Sequence, residues 1–227
     1  MAMAKKRKSL TRDTVVVKGL AIGDTEGLEA VSLRRIASEL GVTPMALYRY
    51  VQSKEELLDA MLEAVWAEVE LPDANAGDWW DGLAALARST RRAFLSHPAA
   101  AAIAATRPGS GRNILRVIDA ILALLERAGF DPELAVRVYL PFARSLLALI
   151  VFEASLLPEV SEEERRQRAL RTRFELEALP ADTFPHVIAA APNLANPYEP
   201  ERVFEEGLDL LRAGIEAHRP KPSDEPS

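Results

Sequence analysis

Along this chain apolar residues recur at three- and four-residue steps, and the alternation expected of strands is sparse. The pattern predicts an all-α fold. A first helix is expected over about 11–26; Val15, Val16 and Val17 are β-branched, but they sit in a helix-length segment. Gly19 and Gly23 inside it should each cost about 1 kcal/mol relative to alanine, and the simplest reading is that the helix tolerates them. Two short helices follow, at 33–40 and 43–51, then a longer one from 55 to about 70 with an apolar stripe through Leu57, Leu58, Met61, Leu62, Val65, Trp66 and Val69. After a loop at 71–77, helices are expected at 79–96, 98–106, 110–129 and 131–157. Gly129 before Asp131-Pro132 is a stop and restart signal, and Pro141 predicts a kink. A charged helix at 161–179 precedes a proline-punctuated stretch at 180–200, with a short helix near 183–191. A last helix covers 201–218.

The stretch Ser32–Lys54 carries the most chemistry. Ile36, Ala37 and Leu40 form a helical face that Gly41 ends, since glycine takes a left-handed position at little steric cost. Val42 can pin the turn to the core. Thr43 is a candidate N-cap with Pro44 at the first helical position. Leu47 and Val51 continue the apolar face, which leaves Met45, Ala46, Tyr48, Arg49 and Tyr50 outward. Ser53-Lys-Glu-Glu56 reads as a capping box that opens the next helix. Two helices across a tight turn also occur in all-α proteins that never touch DNA. Here, however, no carboxylate lies between Thr43 and Lys54, whereas a solvated helix usually mixes both signs. Arg34, Arg35 and Lys54 place cations where phosphates flank a docked helix.

At Ile36-Ala37, Leu40-Gly41-Val42, Leu47-Tyr48, Tyr50 and Lys54-Glu55-Glu56-Leu57-Leu58 the chain resembles the tetracycline-repressor (TetR) family of bacterial regulators. Weaker matches to one branch of that family extend over the body: Ser96-His97, Thr106-Arg107-Pro108, Glu126–Phe130, and Phe204–Leu211 with Gly214 and Glu216. The resemblance implies an N-terminal three-helix DNA-binding head (11–54) on a larger helical effector-binding and dimerisation body (55–219). A basic disordered arm (1–10) and a disordered tail (220–227) flank them. It also implies a homodimer on a palindromic double-stranded operator. Position by position, Ser32, Arg34, Arg35, Thr43, Pro44, Met45, Ala46, Tyr48, Arg49, Tyr50 and Lys54 become the DNA-binding set. In the matching branch, Pro44 and Ala46 correspond to a glutamine and a threonine, the glutamine reading a base, and Arg49 to a tryptophan, so the operator sequence does not carry over.

Net charge is −6, which by itself argues against a nucleic-acid partner. Its distribution reverses that argument. Residues 1–54 hold ten Lys/Arg against five Asp/Glu, and the rest of the chain holds eighteen against twenty-nine. A basic head on an acidic body orients the molecule toward DNA. No cysteine is present, which excludes disulfide and thiolate-metal frameworks. Lys5-Lys6-Arg7-Lys8 is followed by no apolar targeting segment. No uninterrupted apolar run spans a bilayer. The expectation is a soluble, cytoplasmic protein with no membrane partner.

Pairing is expected through the last helix, where Phe204, Leu208, Leu211 and Ile215 form a seam with Gly207 and Gly214 beside it. Leu146 and Ile150 of the apolar helix at 131–157 join them. The effector is expected to be a small, largely apolar molecule in an interhelical pocket. Its candidate walls are Trp66, Trp79, Trp80, Leu83, Leu86, Phe94, Ile103, Ile118, Tyr139, Phe142 and Phe152, each of which reads first as plain core and only then as ligand contact. The branch that the body resembles binds a magnesium–tetracycline chelate through histidines. Between Pro98 and Thr106 this chain has only alanines and Ile103, so no metal, no cofactor and not tetracycline itself is expected. No phosphate loop, nucleophile elbow or metal-ligand cluster points to an enzyme, and no catalytic residue is assigned. The rival reading is a helical ligand-binding or protein-interaction module without sequence-specific DNA binding, which gives no reason for the carboxylate-free Tyr48–Arg49–Tyr50 surface.

Overall fold

The computed structural model of the chain describes residues 10–73, 77–107, 109–156, 161–195 and 199–220, without the side chains of Glu162 and Arg165. The expected arm and tail therefore lie outside the described residues, apart from their innermost positions. Among the described residues every regular element is helical: α1 (Arg12–Glu26), α2 (Leu33–Leu40), α3 (Pro44–Leu47), α4 (Lys54–Glu68), α5 (Trp79–Ser96), α6 (Pro98–Ala104), α7 (Arg112–Arg127), α8 (Pro132–Ser155), α9 (Glu162–Glu177), α10 (Pro185–Leu194) and α11 (Pro200–Ala217). A single 3₁₀ turn at Leu28–Ala30 was not foreseen in the sequence.

Local signals set most boundaries. The hydroxyls of Thr11, Ser32 and Ser53 accept backbone N–H groups of α1, α2 and α4, satisfying donors that have no partner inside the helix. Gly41 takes φ 65°, ψ 35°, and the Val42 N–H reaches back to the Ala37 carbonyl at 3.0 Å, closing α2 with a left-handed cap. Two expectations need correction. The helix expected at 43–51 is a single turn, Pro44–Leu47, and residues 48–50 continue as a turn whose last N–H groups fold back onto the Leu47 carbonyl. The capping box at Ser53 is displaced by one residue: Glu56 reaches the N–H of Gln52 at 2.7 Å rather than that of Ser53.

By contacts the chain forms two compact units, Met1–Ser155 with Gly207–Ser227, and Leu156–Glu206. In the first, α1 packs on α2, α4 and α6, while α4 through α8 form the body. Val15, Val16, Leu20 and Ile22 of α1, Ile36 and Ala37 of α2, Leu47, Val51, and Leu57 and Met61 of α4 are all buried. Gly19 and Gly23 do more than tolerate their positions. A Cβ on Gly19 would lie 3.0 Å from Met61 Sδ, and one on Gly23 would lie 2.7 Å from the Cβ of Ala99 in α6. Close approach of α1 to α6 depends on the missing side chain at Gly23, whereas the atom facing Gly19 is the flexible end of Met61. α8 runs through Pro141 and packs against α5, α6 and α7. Its most apolar stretch has mean hydropathy 1.8, long and apolar enough to cross a bilayer by composition alone. Inside it, buried Glu153 accepts two hydrogen bonds from Arg91 of α5, at 2.8 and 2.7 Å. In the second unit, α9 opens with a full Ser161–Glu164 capping box and packs on α10.

Candidate nucleic-acid interface and effector cavity

The basic end of the molecule is built on α2 and α3. Leu47 is fully buried and anchors α3, so its neighbours point outward: Met45 is 75% exposed and Tyr48 48%. Thr43 and Pro44 are exposed and Ala46 half-buried at the start of the turn. Thr43 stands at the N-cap position, yet its hydroxyl makes no capping bond, which leaves it available to a ligand. Arg34, Arg49 and Lys54 are exposed, with no ion-pair partner among the described residues; Tyr50 is half-buried. Arg35 differs from its neighbour. It is held by Glu39 in α2 and by Glu26 of α1 at 2.8 Å. Hydrogen bonds to Glu39 and Glu26 raise its already high pKa, and the same contact with Arg35, aided by Lys18, lowers that of Glu39. A phosphate would have to compete with two carboxylates for it. Arg35 is thus a brace between α1 and α2. Ser32 likewise spends its hydroxyl on the Arg35 N–H.

The body holds a cavity of about 320 Å³ lined by Leu62 and Trp66 of α4, Ala104, the 105–109 connection through Ala105, Thr106, Arg107 and Gly109, Ile114 of α7 and Leu147 of α8. Arg107 ties this connection to α4 through Asp59, at 2.9 and 3.1 Å. The Trp66 ring meets Phe94 edge-on, with centroids 4.8 Å apart. One turn earlier on α4, Glu63 Oε1 accepts the Asn113 N–H at the start of α7 at 2.7 Å, and the Asn113 amide donates to the Glu63 carbonyl. Glu63 Oε2 and the Trp66 indole N–H are both buried, with no hydrogen-bond partner among the described residues.

Of the eleven residues expected to wall the pocket, Trp66 alone lines this cavity, with Phe94 directly behind it. Leu83, Leu86 and Ile103 are closed core. Trp79 and Trp80 meet edge-on at 5.7 Å, and the Arg212 guanidinium lies over Trp80 at 5.6 Å. Ile118 and Tyr139 are half-buried; burial raises the pKa of the Tyr139 phenol, partly offset by Arg144. Phe152 is 60% exposed, so it walls no interior space in the chain. Phe142 instead lines a second groove, of about 290 Å³, between α8 and α11, together with Leu211, Gly214 and Ile215. The other residues that line this cavity, Ala104, Ala105, Thr106, Arg107 and Gly109 with Leu62, Ile114 and Leu147, were not singled out in the sequence. The signal was the run of small residues ending in Thr106-Arg107-Pro108.

The residues expected to pair two chains divide as well. Leu146, Ile150, Phe204, Leu208 and Ile215 are buried within the chain, and Gly207 meets Leu149 of α8, where a Cβ would come within 2.8 Å. Leu211 is half-buried and Gly214 exposed, with open space around the latter. Beside them Leu140 and Leu210 are exposed, Leu210 by 77%.

A polar junction ties α1 to α4 and α6. The Asp24 carboxylate of α1 accepts the Ala99 N–H at 3.0 Å and pairs with His97 Nδ1 at 2.8 Å, while His97 Nε2 lies 3.2 Å from Glu68 at the end of α4.

Two family descriptions match the chain: "Bacterial regulatory proteins, tetR family" over residues 24–61, and "Tetracyclin repressor-like, C-terminal domain" over residues 71–219. An HTH-type transcriptional repressor of Streptomyces coeruleorubidus, DrrR1, is 42% identical over 130 residues, 56% of this chain and 48% of the relative. The chain thus spans about half the length of the first curated relatives it matches. Tetracycline repressor protein class C of Escherichia coli is 30% identical over 213 residues, 92% of each chain. Among solved structures, the TetR family protein ActR of Streptomyces coelicolor in complex with actinorhodin superposes with a TM-score of 0.83 at 33% identity. The match covers 93% of this chain and 98% of that one.

Proposed function

This chain belongs to the tetracycline-repressor family of bacterial regulators, and from that membership we propose that it is a homodimeric transcriptional repressor released from its operator by a small, largely apolar effector. The observation that carries this reading is α4. It starts at Lys54, directly after the outward surface of Met45, Tyr48 and Arg49, and ends beside Trp66 in the cavity. A straight helix of fifteen residues spans about 22 Å, so one rigid element joins the DNA-facing surface to the effector site. A ligand that favours one placement of α4 biases the spacing of two recognition turns, and its differential affinity for the two states limits the shift.

On this reading residues 11–54 face DNA and 55–219 bind effector and pair. Met45 and Ala46 sit where apolar contact with a thymine methyl is available, and Arg49 and Arg34 are the candidates for guanine. Thr43, Tyr48, Tyr50 and Lys54 reach phosphates. Pairing uses the α8–α11 face, on which Leu140, Leu210, Leu211 and Gly214 stand outward. On this reading the protein works in the cytoplasm, where its operator is, and binds its effector without chemical change.

The test is selection of bound sites from a random duplex library, followed by gel shifts of the enriched site at several salt concentrations. Recovery of a palindrome with half-sites one helical turn apart, bound with a steep salt dependence, is the expected result. Absence of enrichment together with salt-insensitive binding would overturn the assignment.

A further inference from the structure

The DNA-facing surface carries an oxidisable sulfur. Met45 is the second residue of α3, and its side chain is 75% exposed. Leu47 fixes that aim: it is fully buried, and residues two apart on a helical turn do not share a face. The other methionine among the described residues, Met61, is fully buried beneath Gly19. The chain contains no cysteine, and each of its three tryptophans is at most 8% exposed. Among the described residues, Met45 is therefore the one sulfur that an oxidant in solution can reach. Its surroundings make that sulfur matter. Pro44 and Ala46 on either side have no polar side-chain atom, and Arg34, Arg49 and Lys54 are exposed on the same basic end of the molecule.

Oxygen on this sulfur changes what the tip can bind. A thioether is apolar and polarisable; the sulfoxide is polar and chiral, and its oxygen accepts a hydrogen bond. Beside a thymine methyl that oxygen finds no donor, and beside a phosphate it faces negative charge. A buried acceptor left unpaired weakens binding about five- to hundredfold. We propose that Met45 is a modification site at which a peroxide switches operator binding off. The sulfur lone pair attacks one peroxide oxygen. The S–O bond forms as the O–O bond breaks, and the departing hydroxide takes the proton of the new S–OH group and leaves as water. Sulfur is oxidised by two electrons and the peroxide is reduced by two. A methionine sulfoxide reductase, drawing its electrons from thiols, reverses the step. The consequence for DNA rests on the repressor reading, while the order in which the sulfurs react does not.

The experiment exposes the full-length protein to hydrogen peroxide, follows each methionine by peptide mass mapping, and measures gel shifts on the selected operator. Met45 is expected to gain one oxygen well before Met61, with operator affinity falling about five- to hundredfold as it does. Methionine sulfoxide reductase should restore both mass and affinity. Saturating operator should slow the oxidation of Met45, because docked DNA covers the sulfur. Met45→Leu keeps an apolar side chain and removes the sulfur. Compared with its own untreated protein, it should hold its affinity through the same treatment; Met1 and Met3 remain in it, so a loss that they cause would persist. Oxidation of Met61 as early as Met45, full affinity with Met45 oxidised, or an equal loss in Met45→Leu each overturns the proposal. Should that variant not bind operator, affinity that stays lost after Met45 is repaired overturns it instead. Failure of the repressor reading looks different: the untreated protein then selects no operator while Met45 still reacts before Met61, which leaves the site and removes the switch.

Discussion

Replacing Gly23 by alanine tests how closely α1 is seated on α6. The substitution adds a methyl group 2.7 Å from the Cβ of Ala99 and 3.3 Å from a Val31 methyl. Non-bonded carbons prefer about 3.5–4.0 Å, so α1 and α6 must part by roughly 1 Å. The Ala99 methyl cannot turn aside, because it is fixed to the α6 backbone. Parting also lengthens the bonds from the adjacent Asp24 to the Ala99 N–H and to His97. Overpacking of this kind costs about 1–3 kcal/mol, and a lengthened hydrogen bond about 1 kcal/mol more. Against this, alanine gains about 1 kcal/mol of helix propensity over glycine. The net expectation is a loss of about 1–3 kcal/mol, or about 2–4 °C in Tm for each kcal/mol in a chain of this size. Gly19→Ala is the matched control. Its methyl meets the flexible end of Met61 at 3.0 Å and ordinary contacts at 3.5 Å, so the propensity gain should survive and Tm hold or rise. Thermal unfolding followed by circular dichroism reads both. If Gly23→Ala is as stable as wild type, or if the two variants fall equally, the reasoning from steric fit is refuted.

Other outcomes follow from the same geometry. Arg34→Ala and Lys54→Ala should each weaken operator binding and lower the salt slope by about one, whereas Arg35→Ala should change the slope less, because Glu26 and Glu39 already hold that cation; gel shifts across a salt series decide. Arg49→Ala should cost about 1–3 kcal/mol and relax preference at one base pair if it reads a guanine, measured on a panel of single-base operator variants. Glu153→Ala removes the buried carboxylate that accepts two hydrogen bonds from Arg91 and should cost about 1.5–3 kcal/mol, the range of hydrogen bonds to a charged group, seen as a lower denaturant midpoint. The depressed pKa of Glu39 means that its contribution to stability is present above the ordinary value of 4.5 and is lost as pH falls below it. Glu39→Gln should therefore flatten the acid branch of a stability–pH curve and leave the neutral branch unchanged in slope.

Most of the helices were legible because their ends carry chemical marks. Gly41, Pro98, Gly129 and the serines at 32, 53 and 161 stop or start helices by backbone geometry and capping, which are local and visible in sequence. α3 was misjudged in length because Leu47 and Val51 are spaced as if helical, while the backbone between them closes as a turn around buried Leu47. The cavity was harder to foresee. Large aromatic residues were expected to wall it, yet Trp79, Trp80, Leu83 and Phe94 fill space instead of lining it. A cavity forms where side chains are small, and here Ala104, Ala105 and Gly109 stand in its wall beside Leu62, Trp66, Ile114 and Leu147. Gly23 shows the same limit: its purpose lies in Ala99, seventy-six residues away, and no local pattern reveals a pairing of that range. On the last helix, spacing identified an apolar seam but not which way it faces. Leu208 and Ile215 turn inward, and Leu210 turns out.

Met61 has a consequence for how such proteins can be recombined. Its buried side chain lies under Gly19 of α1, and it belongs to the same helix whose Trp66 edges the body cavity. Cutting the chain at residue 54 therefore takes the buried Leu57 and Met61 away from the core that α1 and α2 share with α4. A chimera that transplants this reader onto another body should carry α4 through Glu68, together with an α6 that keeps alanine at 99. A junction drawn at Lys54, where the basic surface ends, would leave Gly19 and Gly23 of α1 facing a foreign helix in place of Met61 and Ala99.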